Sequence, residues 1–389
     1  MTMREECAER ITRLQGKLRE QQLDGALISH PIDIYYFTGT RQNGVLWVSA
    51  AGDARLLIRK SLSRAQTEAA IDQVLPFPAS KEFAATLSGE TDKIGMTFDV
   101  LPVQQYNLFV KLLPNRQFVD ISGLNRDLRS VKSDREIETM RRGGERLCGV
   151  FAQVPDFIRE GMREVDLSAE FEMRLRKAGG EGYIRMRATN QELFQGLVVS
   201  GDHGCTPGFF DGAVTGSGMS KASPHGASAK QIVKNEPILI DYTGVFDGYI
   251  LDMTRMFVIG TLTPELQQAF ETALAIQAKV AAALRPGAIC AEIFEHAAQM
   301  AEEAGLGKRF MGAPGEQARF VGHGVGLELD EMPVLAKGFN LPLQLNQIIA
   351  VEPKFVFPGS GVVGIENTFV VGDKGGARLT CLDDDLIRL

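Results

Sequence analysis

The 389-residue sequence has few cysteines and no long apolar run. Its five cysteines are scattered, odd in number and never spaced as Cys-x-x-Cys, which excludes a disulfide framework and is typical of a cytosolic protein. No window approaches the ~18 unbroken apolar residues of a membrane span. The opening segment MTMREECAERITRLQ is charged and helix-like, so we expect neither a signal peptide nor a membrane partner, and a cytoplasmic location.

An excess of positive charge is also missing, as are the common short catalytic motifs. The net charge is −7 and no basic stripe is present, which argues against a nucleic-acid partner. HExxH, GxSxG and GxGxxG are absent, and GSGMSK lacks the GxxxxGK[ST] spacing of a phosphate-binding loop. The run Asp383–Asp385 is interpreted as solvated. The remaining composition, 44% apolar and 23% charged, is that of an ordinary globular protein long enough for two domains.

Helical and strand patterns alternate over the first part of the chain. Thr2–Gln22 has apolar residues at helical spacing, and strand-like segments follow, including DGALISH, GVLWVSA and ARLLIRK. This order predicts a small α/β domain over residues 1–125, with no cluster of histidines, cysteines or carboxylates typical of a catalytic centre. Ser133, followed by Glu136, predicts a capping box and a long helix near the start of a second domain, residues 126–389.

Four acids in the second domain interrupt apolar, strand-like segments. Asp241 ends the run in EPILIDY and Asp252 follows in GYILDMTRMF. A hairpin of this size can bring these two carboxylates side by side, because paired strands lie about 4.8 Å apart. Glu352 and Glu366 interrupt IIAVEPKFVF and GVVGIENTFVV in the same way. A buried carboxylate needs a cation, a metal ion or a proton to offset the loss of water, so packing alone does not explain the repeated pattern.

A single histidine, His323, lies between two glycines in GHGVGLELDEMP. With the four acids it forms an oxygen-rich set that suits Mn, Co, Fe or Zn in a hydrolytic pair. Four negative charges match two divalent cations, which bridging carboxylates hold ~3.5–4 Å apart. A water between such ions loses a proton near neutral pH and becomes a nucleophile. The sequence therefore predicts a two-metal hydrolytic site.

The order Asp, Asp, His, Glu, Glu, set in DYTGVFDGYILDMTRMF, GHGVGL, VEPKF and GIEN, resembles that of the pita-bread metallohydrolases. These include Xaa-Pro aminopeptidase, prolidase, methionine aminopeptidase and creatinase. LDGALISHPIDIYYFTGT is similar to the creatinase/prolidase N-terminal domain, and LRSVKSDREIETMRRG to the usual entry into the catalytic domain. The resemblance implies an α/β N-terminal creatinase-like domain, an α+β C-terminal pita-bread catalytic domain, a homodimer, and a peptide or small-amide substrate.

The resemblance also implies roles for individual residues. The dimetal ligands would be Asp241, Asp252, His323, Glu352 and Glu366. Among these, Asp252 and Glu366 would bridge the ions, which would be Mn or Co in preference to Fe or Zn. Glu352 would also act as general acid/base for the metal-bound water. His225, in SPHGASAK, would contact the substrate near the scissile bond and belong to the catalytic set.

Three positions depart from the family pattern. Asp330 stands where the peptidases carry a second histidine, which donates a hydrogen bond to the substrate carbonyl or oxyanion. An ionised aspartate cannot donate and would repel an oxyanion. Asp330 is therefore protonated through burial and Glu331, or binds a cationic group of the substrate, or has turned away. Gly364 replaces an arginine of proline-directed members, and Asn367 replaces the usual acid after the bridging glutamate.

These observations predict a dimetal hydrolase that cleaves an Xaa-Pro-type peptide bond or a related amide bond with a metal-bridging hydroxide. A metal-dependent hydrolase of a small amide- or amidine-containing metabolite is an alternative on the same fold, although creatinase itself lacks these metal ligands. The alternative from another class is a non-catalytic binding protein. Retired sites usually lose ligands first, and this chain keeps all five.

Overall fold

The structure, a computed structural model, describes residues 2–182, 184–187 and 193–389. The chain divides into two compact units. The first runs to Arg129 and includes Arg187, and the second begins at Ser130 and runs to the C-terminal residue. Within the described ranges no helix is long and apolar enough to cross a membrane. The boundary after residue 125 stays a prediction; the compact units divide after Arg129.

The N-terminal unit combines a mixed sheet with helices. Its strands are β1 Gly25–Ile28, β2 Gly44–Ser49, β3 Ala54–Ile58, β4 Gln73–Pro76, β5 Lys93–Met96 and β6 Gln117–Asp120. Its helices are α1 Met3–Glu20, α2 Pro31–Thr38, α3 Leu62–Glu68, α4 Phe83–Thr86, α5 Val103–Leu112 and α6 Ser122–Ser130, which ends at the unit boundary. The strand order is β4-β3-β2-β1-β5-β6. Neighbours are antiparallel for β1–β2 and β2–β3 and parallel elsewhere.

A buried ion-pair cluster lies in this unit. Asp33 of α2 is fully buried and accepts hydrogen bonds from Arg129 at 2.8 Å and Arg187 at 3.1 Å. Burial opposes ionisation of Asp33, but the hydrogen bond from His30 and the charges of the two arginines outweigh it and hold the pKa of Asp33 well below its usual value. Asp33 is therefore an ionised, paired carboxylate inside the unit.

The C-terminal unit is built largely from antiparallel strands and longer helices. Its helices are α7 Asp134–Phe151, α8 Val154–Phe157, α9 Glu164–Lys177, α10 Pro264–Ala283 and α11 Cys290–Glu303. Its strands are β7 Gly196–Ser200, β8 Ile238–Phe246, β9 Tyr249–Val258, β10 Phe320–Gly324, β11 Glu331–Ala336, β12 Ile348–Val351, β13 Lys354–Phe357, β14 Gly361–Gly364, β15 Asn367–Val370, β16 Ala377–Arg378 and β17 Ile387–Arg388.

These strands form two larger sheets and a hairpin. The orders are β17-β9-β8-β7, β11-β10-β12-β15-β16 and β13-β14. Only the β17–β9 contact is parallel among the pairs of the described strands in this unit. The two larger sheets meet where Thr254 of β9 and Glu366, just before β15, form a β-bridge. That junction brings acids from both sheets into one region.

Helix α7 confirms the predicted capping box. The Ser133 hydroxyl accepts from the backbone N–H of Glu136 at 3.2 Å, and the Glu136 carboxylate accepts from the N–H of Ser133 at 2.9 Å. Gly143 and Gly144 do not interrupt the helix. A Cβ at Gly143 would lie 2.8 Å from a methyl of Leu251, and one at Gly144 would lie 2.2 Å from a backbone carbonyl oxygen. Glycine is needed here because α7 lies close to β9 and to the C-terminal segment.

Candidate functional site

The β8–β9 hairpin carries two of the predicted ligands on one face. Asp241 pairs with Thr254, and Asp252 pairs with Thr243. Directly opposed residues share a face, and positions two apart along a strand return to it, so both carboxylates project to the same side. Asp252 is buried and Asp241 half-buried. The Thr368 hydroxyl anchors Asp252, because it accepts from the Asp252 N–H at 3.0 Å and donates to its carbonyl at 2.9 Å.

The other three predicted ligands come from the second large sheet. His323 lies in β10 opposite Ala350 of β12. Glu352 directly follows β12 and Glu366 directly precedes β15, and all three are buried. Nδ1 of His323 lies 3.1 Å from the carbonyl oxygen of Leu329, which assigns the proton to Nδ1. Nε2, 3.6 Å from Glu352 Oε1, is left to face the carboxylates.

Asp252, His323 and Glu366 form a compact donor set, called the metal triad here. One ligand atom from each lies within 4.8 Å of the other two, and all three residues are buried. Carboxylate oxygens and an imidazole nitrogen are donors that Mn, Co, Fe and Zn accept in proteins. The metal triad therefore fits one divalent ion.

Asp241 and Glu352 contact a lysine. Nζ of Lys354 lies 2.9 Å from Asp241 Oδ2, 2.7 Å from Glu352 Oε2 and 3.0 Å from Glu366 Oε2. No sequence motif singles out Lys354. The available signal was its position two residues after Glu352, because side chains two apart in an extended segment point to the same side. Lys354 adds a positive charge that the predicted site did not contain.

The charges of this cluster shift one another's pKa values. Burial, followed by the carboxylates of Glu366 and Asp241, raises the pKa of Asp252 well above its usual value. Burial raises the pKa of Glu366 to about 7, although the Lys354 ammonium opposes the rise. Burial lowers the pKa of Lys354, but three neighbouring carboxylates outweigh it and the pKa lies well above its usual value. The ammonium therefore stays charged beside the carboxylates.

A pocket of about 340 Å³ is lined by the five predicted ligands, Lys354, His225 and Asp330. His225 is buried, and its ring meets that of Phe210 edge to face at 6.1 Å. Its Nδ1 has no hydrogen-bond partner among the described residues. Burial lowers the pKa of His225 more than the charge of Asp241 raises it. The imidazole is therefore neutral at pH 7 and retains one N–H donor.

Asp330 shares the pocket lining, with 48% of its side chain exposed. Its Oδ1 lies 3.5 Å from Nδ1 of His323, the ring nitrogen opposite the one that faces the carboxylates. Glu331 is buried and pairs with Lys132 at 3.0 Å. Asp330 is half exposed and lines the pocket, so it has not turned away from it. Contact of Asp330 with a cationic group of the substrate stays a prediction.

A buried arginine, Arg255, contacts both the C-terminal segment and the backbone of Glu366, one of the predicted ligands. Arg255 donates to the carbonyl of Glu366 at 3.0 Å and to Oδ1 of Asn367 at 2.9 Å. It also pairs with Asp384 at 3.1 Å, so the interpretation of Asp383–Asp385 as solvated is wrong for Asp384. Asn367 donates to Asp384 at 2.9 Å while it accepts from Arg255. An amide does both, whereas an ionised acid at this position would only accept.

Comparisons with known proteins bear on this geometry. Residues 138–373 match the description of metallopeptidase family M24, and residues 10–131 match that of the creatinase/prolidase N-terminal domain. The chain is 27% identical over 382 residues to an Xaa-Pro dipeptidase of Pyrococcus furiosus, covering 97% of this chain and 99% of that one.

Two solved structures are similar over nearly the full length. An Xaa-Pro dipeptidase from Bacillus anthracis has a TM-score of 0.83 and 25% identity, and the match covers 98% of this chain and all of the other. A prolidase from Pyrococcus horikoshii has a TM-score of 0.81 and 24% identity, with 97% of this chain and all of the other covered. At 24% identity the second likeness concerns the fold alone.

Proposed function

Because the chain belongs to metallopeptidase family M24, we propose that it is a metal-dependent hydrolase that cleaves an Xaa-Pro-type peptide bond or a related amide bond. The observation that carries the proposal is the convergence of four carboxylates and one imidazole in the lining of one pocket. They belong to Asp241, Asp252, His323, Glu352 and Glu366. A peptide substrate is supported by two relatives, each of which is named Xaa-Pro dipeptidase.

The predicted family and fold class are confirmed. The two family matches cover a creatinase/prolidase N-terminal domain and an M24 catalytic domain. The solved structures with TM-scores of 0.83 and 0.81 extend this agreement to nearly the whole chain. The fold therefore supports a catalytic centre in the C-terminal unit.

Individual residues have distinct tasks in this proposal. The metal triad holds a divalent ion, which when bound supplies a Lewis acid for the amide carbonyl and for water. Glu352 receives a proton from the attacking water at Oε1, the oxygen that does not accept from Lys354, and delivers it to the leaving nitrogen. His225, neutral and on the pocket wall, donates a hydrogen bond to the substrate carbonyl as negative charge develops there.

The proposal also covers the metal that binds, the oligomeric state of the protein and its location in the cell. Mn or Co is favoured over Fe or Zn by the donor set, which is richer in oxygen than nitrogen. A homodimer is expected from the family resemblance and is measurable by light scattering. A cytoplasmic location is supported by five cysteines that are all free.

The alternative of a small-amide hydrolase is favoured by two positions. Gly364 has no side chain to bind the carboxylate of a dipeptide, and Asp330 adds a negative charge to the pocket lining. Both features suit a substrate with a cationic group near the scissile amide. The same metal chemistry would then act on a smaller molecule.

A substrate panel tests the proposal. The protein loaded with Mn or Co is assayed with Xaa-Pro dipeptides, longer peptides with proline second, peptides without proline and small N-acyl compounds. We expect turnover of a peptide class, abolished in Asp252→Asn. Turnover confined to the N-acyl compounds would replace the peptidase with the small-amide hydrolase. Absence of both turnover and metal binding would leave the non-catalytic binding protein.

A further inference from the structure

The contacts of Lys354 are those of a cation built into the cluster. An ammonium group has three N–H donors. Lys354 has three carboxylate partners, at 2.9, 2.7 and 3.0 Å, on Asp241, Glu352 and Glu366. The residue is only 2% exposed. The number of donors equals the number of carboxylate partners, so the hydrogen-bonding capacity of the ammonium is used inside the cluster.

The backbone makes room for this lysine at one neighbouring position. Lys354 is the first residue of β13 and pairs with Gly364 of β14. A Cβ at position 364 would lie 2.5 Å from Cγ of Lys354 and 2.8 Å from its Cα. It would also lie 2.8 Å from the carbonyl oxygen of Pro353, so a side chain at 364 requires the hairpin to shift. The side chain and the backbone of Lys354 thus both lie against Gly364.

From these contacts we infer that the ammonium of Lys354 replaces one of the two divalent cations that the sequence predicts, so that the protein binds a single ion at the metal triad. Neither Asp252 nor His323 is among the three hydrogen-bond partners of the ammonium, and both remain available to an ion. Glu366, the third member of the metal triad, contacts the ammonium through Oε2, and its Oε1 does not accept from Lys354. An ion at Asp241 and Glu352 would share both carboxylates with the ammonium, and like charges this close repel strongly in a buried site. The inference rests on the metal dependence of the proposed function and concerns the number of ions.

A lysine differs from a metal ion in one measurable respect, because a chelator cannot remove it. Asp241 and Glu352 therefore keep a positive partner in the metal-free protein. Treatment with EDTA removes only the ion at the metal triad. We expect the metal-free protein to stay folded. The melting temperature of metal-free Lys354→Ala should lie below that of the metal-free wild type.

Metal counting on the full-length protein tests the inference. The wild type, Lys354→Ala and Lys230→Ala are stripped with EDTA, incubated with excess Mn²⁺, desalted and analysed by mass spectrometry for metal per chain. Lys230 is the matched control, since it also pairs with a glutamate, Glu236 at 2.6 Å, but does not line the pocket. We expect one equivalent for the wild type and Lys230→Ala, and two for Lys354→Ala. Electron paramagnetic resonance of the wild type should show an isolated Mn²⁺ ion, and that of Lys354→Ala a coupled pair.

The wild type decides the inference even where Lys354→Ala fails to fold. Two equivalents and a coupled spectrum in the wild type would overturn it, as would a wild type that binds no Mn²⁺. The substrate panel and the metal count test separate claims. One bound ion without peptide turnover would refute the peptidase and leave the inference about the number of ions standing. Two bound ions with peptide turnover would do the reverse.

Discussion

Lys354 and Gly364 face each other across the β13–β14 hairpin, and a Cβ on the glycine would meet both the side chain and the backbone of Lys354. Gly364→Ala would place a methyl group 2.5 Å from Cγ of Lys354. We expect it to cost about 1–3 kcal/mol of unfolding free energy, because overpacking forces side chains or backbone to move. In a Lys354→Ala background the contact with Cγ is gone and the cost should be smaller.

Urea denaturation of the wild type, both single variants and the double variant measures this coupling. We expect an interaction energy of about 1 kcal/mol between the two positions, as for residues in direct contact. If the unfolding free energies lost in the two single variants add up to the loss in the double variant, the methyl group does not press on the Lys354 side chain. Gly364 would then not control the position of Lys354.

His225 is predicted to act on the substrate and not on the metal. Its buried Nδ1 has no partner among the described residues, and its ring lines the pocket. His225→Ala should lower kcat by about 10²-fold or more, the range for loss of a group that hydrogen-bonds the reacting atoms. Metal content should not change. The control is His296→Ala, at an exposed position of α11, which should leave kcat unaltered. Loss of metal in His225→Ala would show that the histidine supports the ligands instead.

Asp330 should influence the choice of substrate with little effect on bound metal. Because its side chain is 48% exposed, solvent screens its charge. Asp330→Asn should therefore raise KM for substrates with an amine or guanidinium by only about two- to fivefold, as expected for an exposed pair worth under 1 kcal/mol. KM for neutral substrates should stay the same, and Asp211→Asn, another acid of the pocket lining, is the comparison. A fall in metal content would indicate that Asp330 acts through His323.

Asp33 gives the N-terminal unit a pH-dependent stability. Its pKa is depressed in the folded state, so its contribution is complete above the unfolded-state value of about 3.9 and is lost as the pH falls below it. Asp33→Asn leaves buried arginines with one partner fewer and should cost about 3–5 kcal/mol at pH 7. The difference from the wild type should shrink at pH 3.

Denaturant unfolding at the two pH values measures this difference. Asp72→Asn provides the control, because Asp72 pairs with Arg4 at the exposed surface, with side chains 88% and 61% exposed. Such a pair contributes little. An equal cost of Asp33→Asn at both pH values would mean that Asp33 is not an ionised partner in the folded unit.

Short-range patterns account for what the sequence predicted well. Apolar runs interrupted by single acids indicated that Asp241, Asp252, Glu352 and Glu366 belong to strands, and each lies in a strand or directly beside one. The long helix after Ser133 was similarly evident from its capping box, and α7 begins at Asp134, directly after that residue. Helix α2 was not among the predicted elements, because its apolar residues cover all sides and leave no period to detect.

Contacts between distant residues were decided only by the tertiary structure. Nothing near Asp384 in the sequence indicates its pairing with Arg255, which lies far earlier in the chain. The sequence by itself determined the family, the set of donor residues and those elements that have a clear period, since these depend on local pattern and residue type. The structure decided that Lys354 enters the cluster, because this depends on the β13–β14 register, on a glycine across the hairpin and on three carboxylates that approach from separate strands.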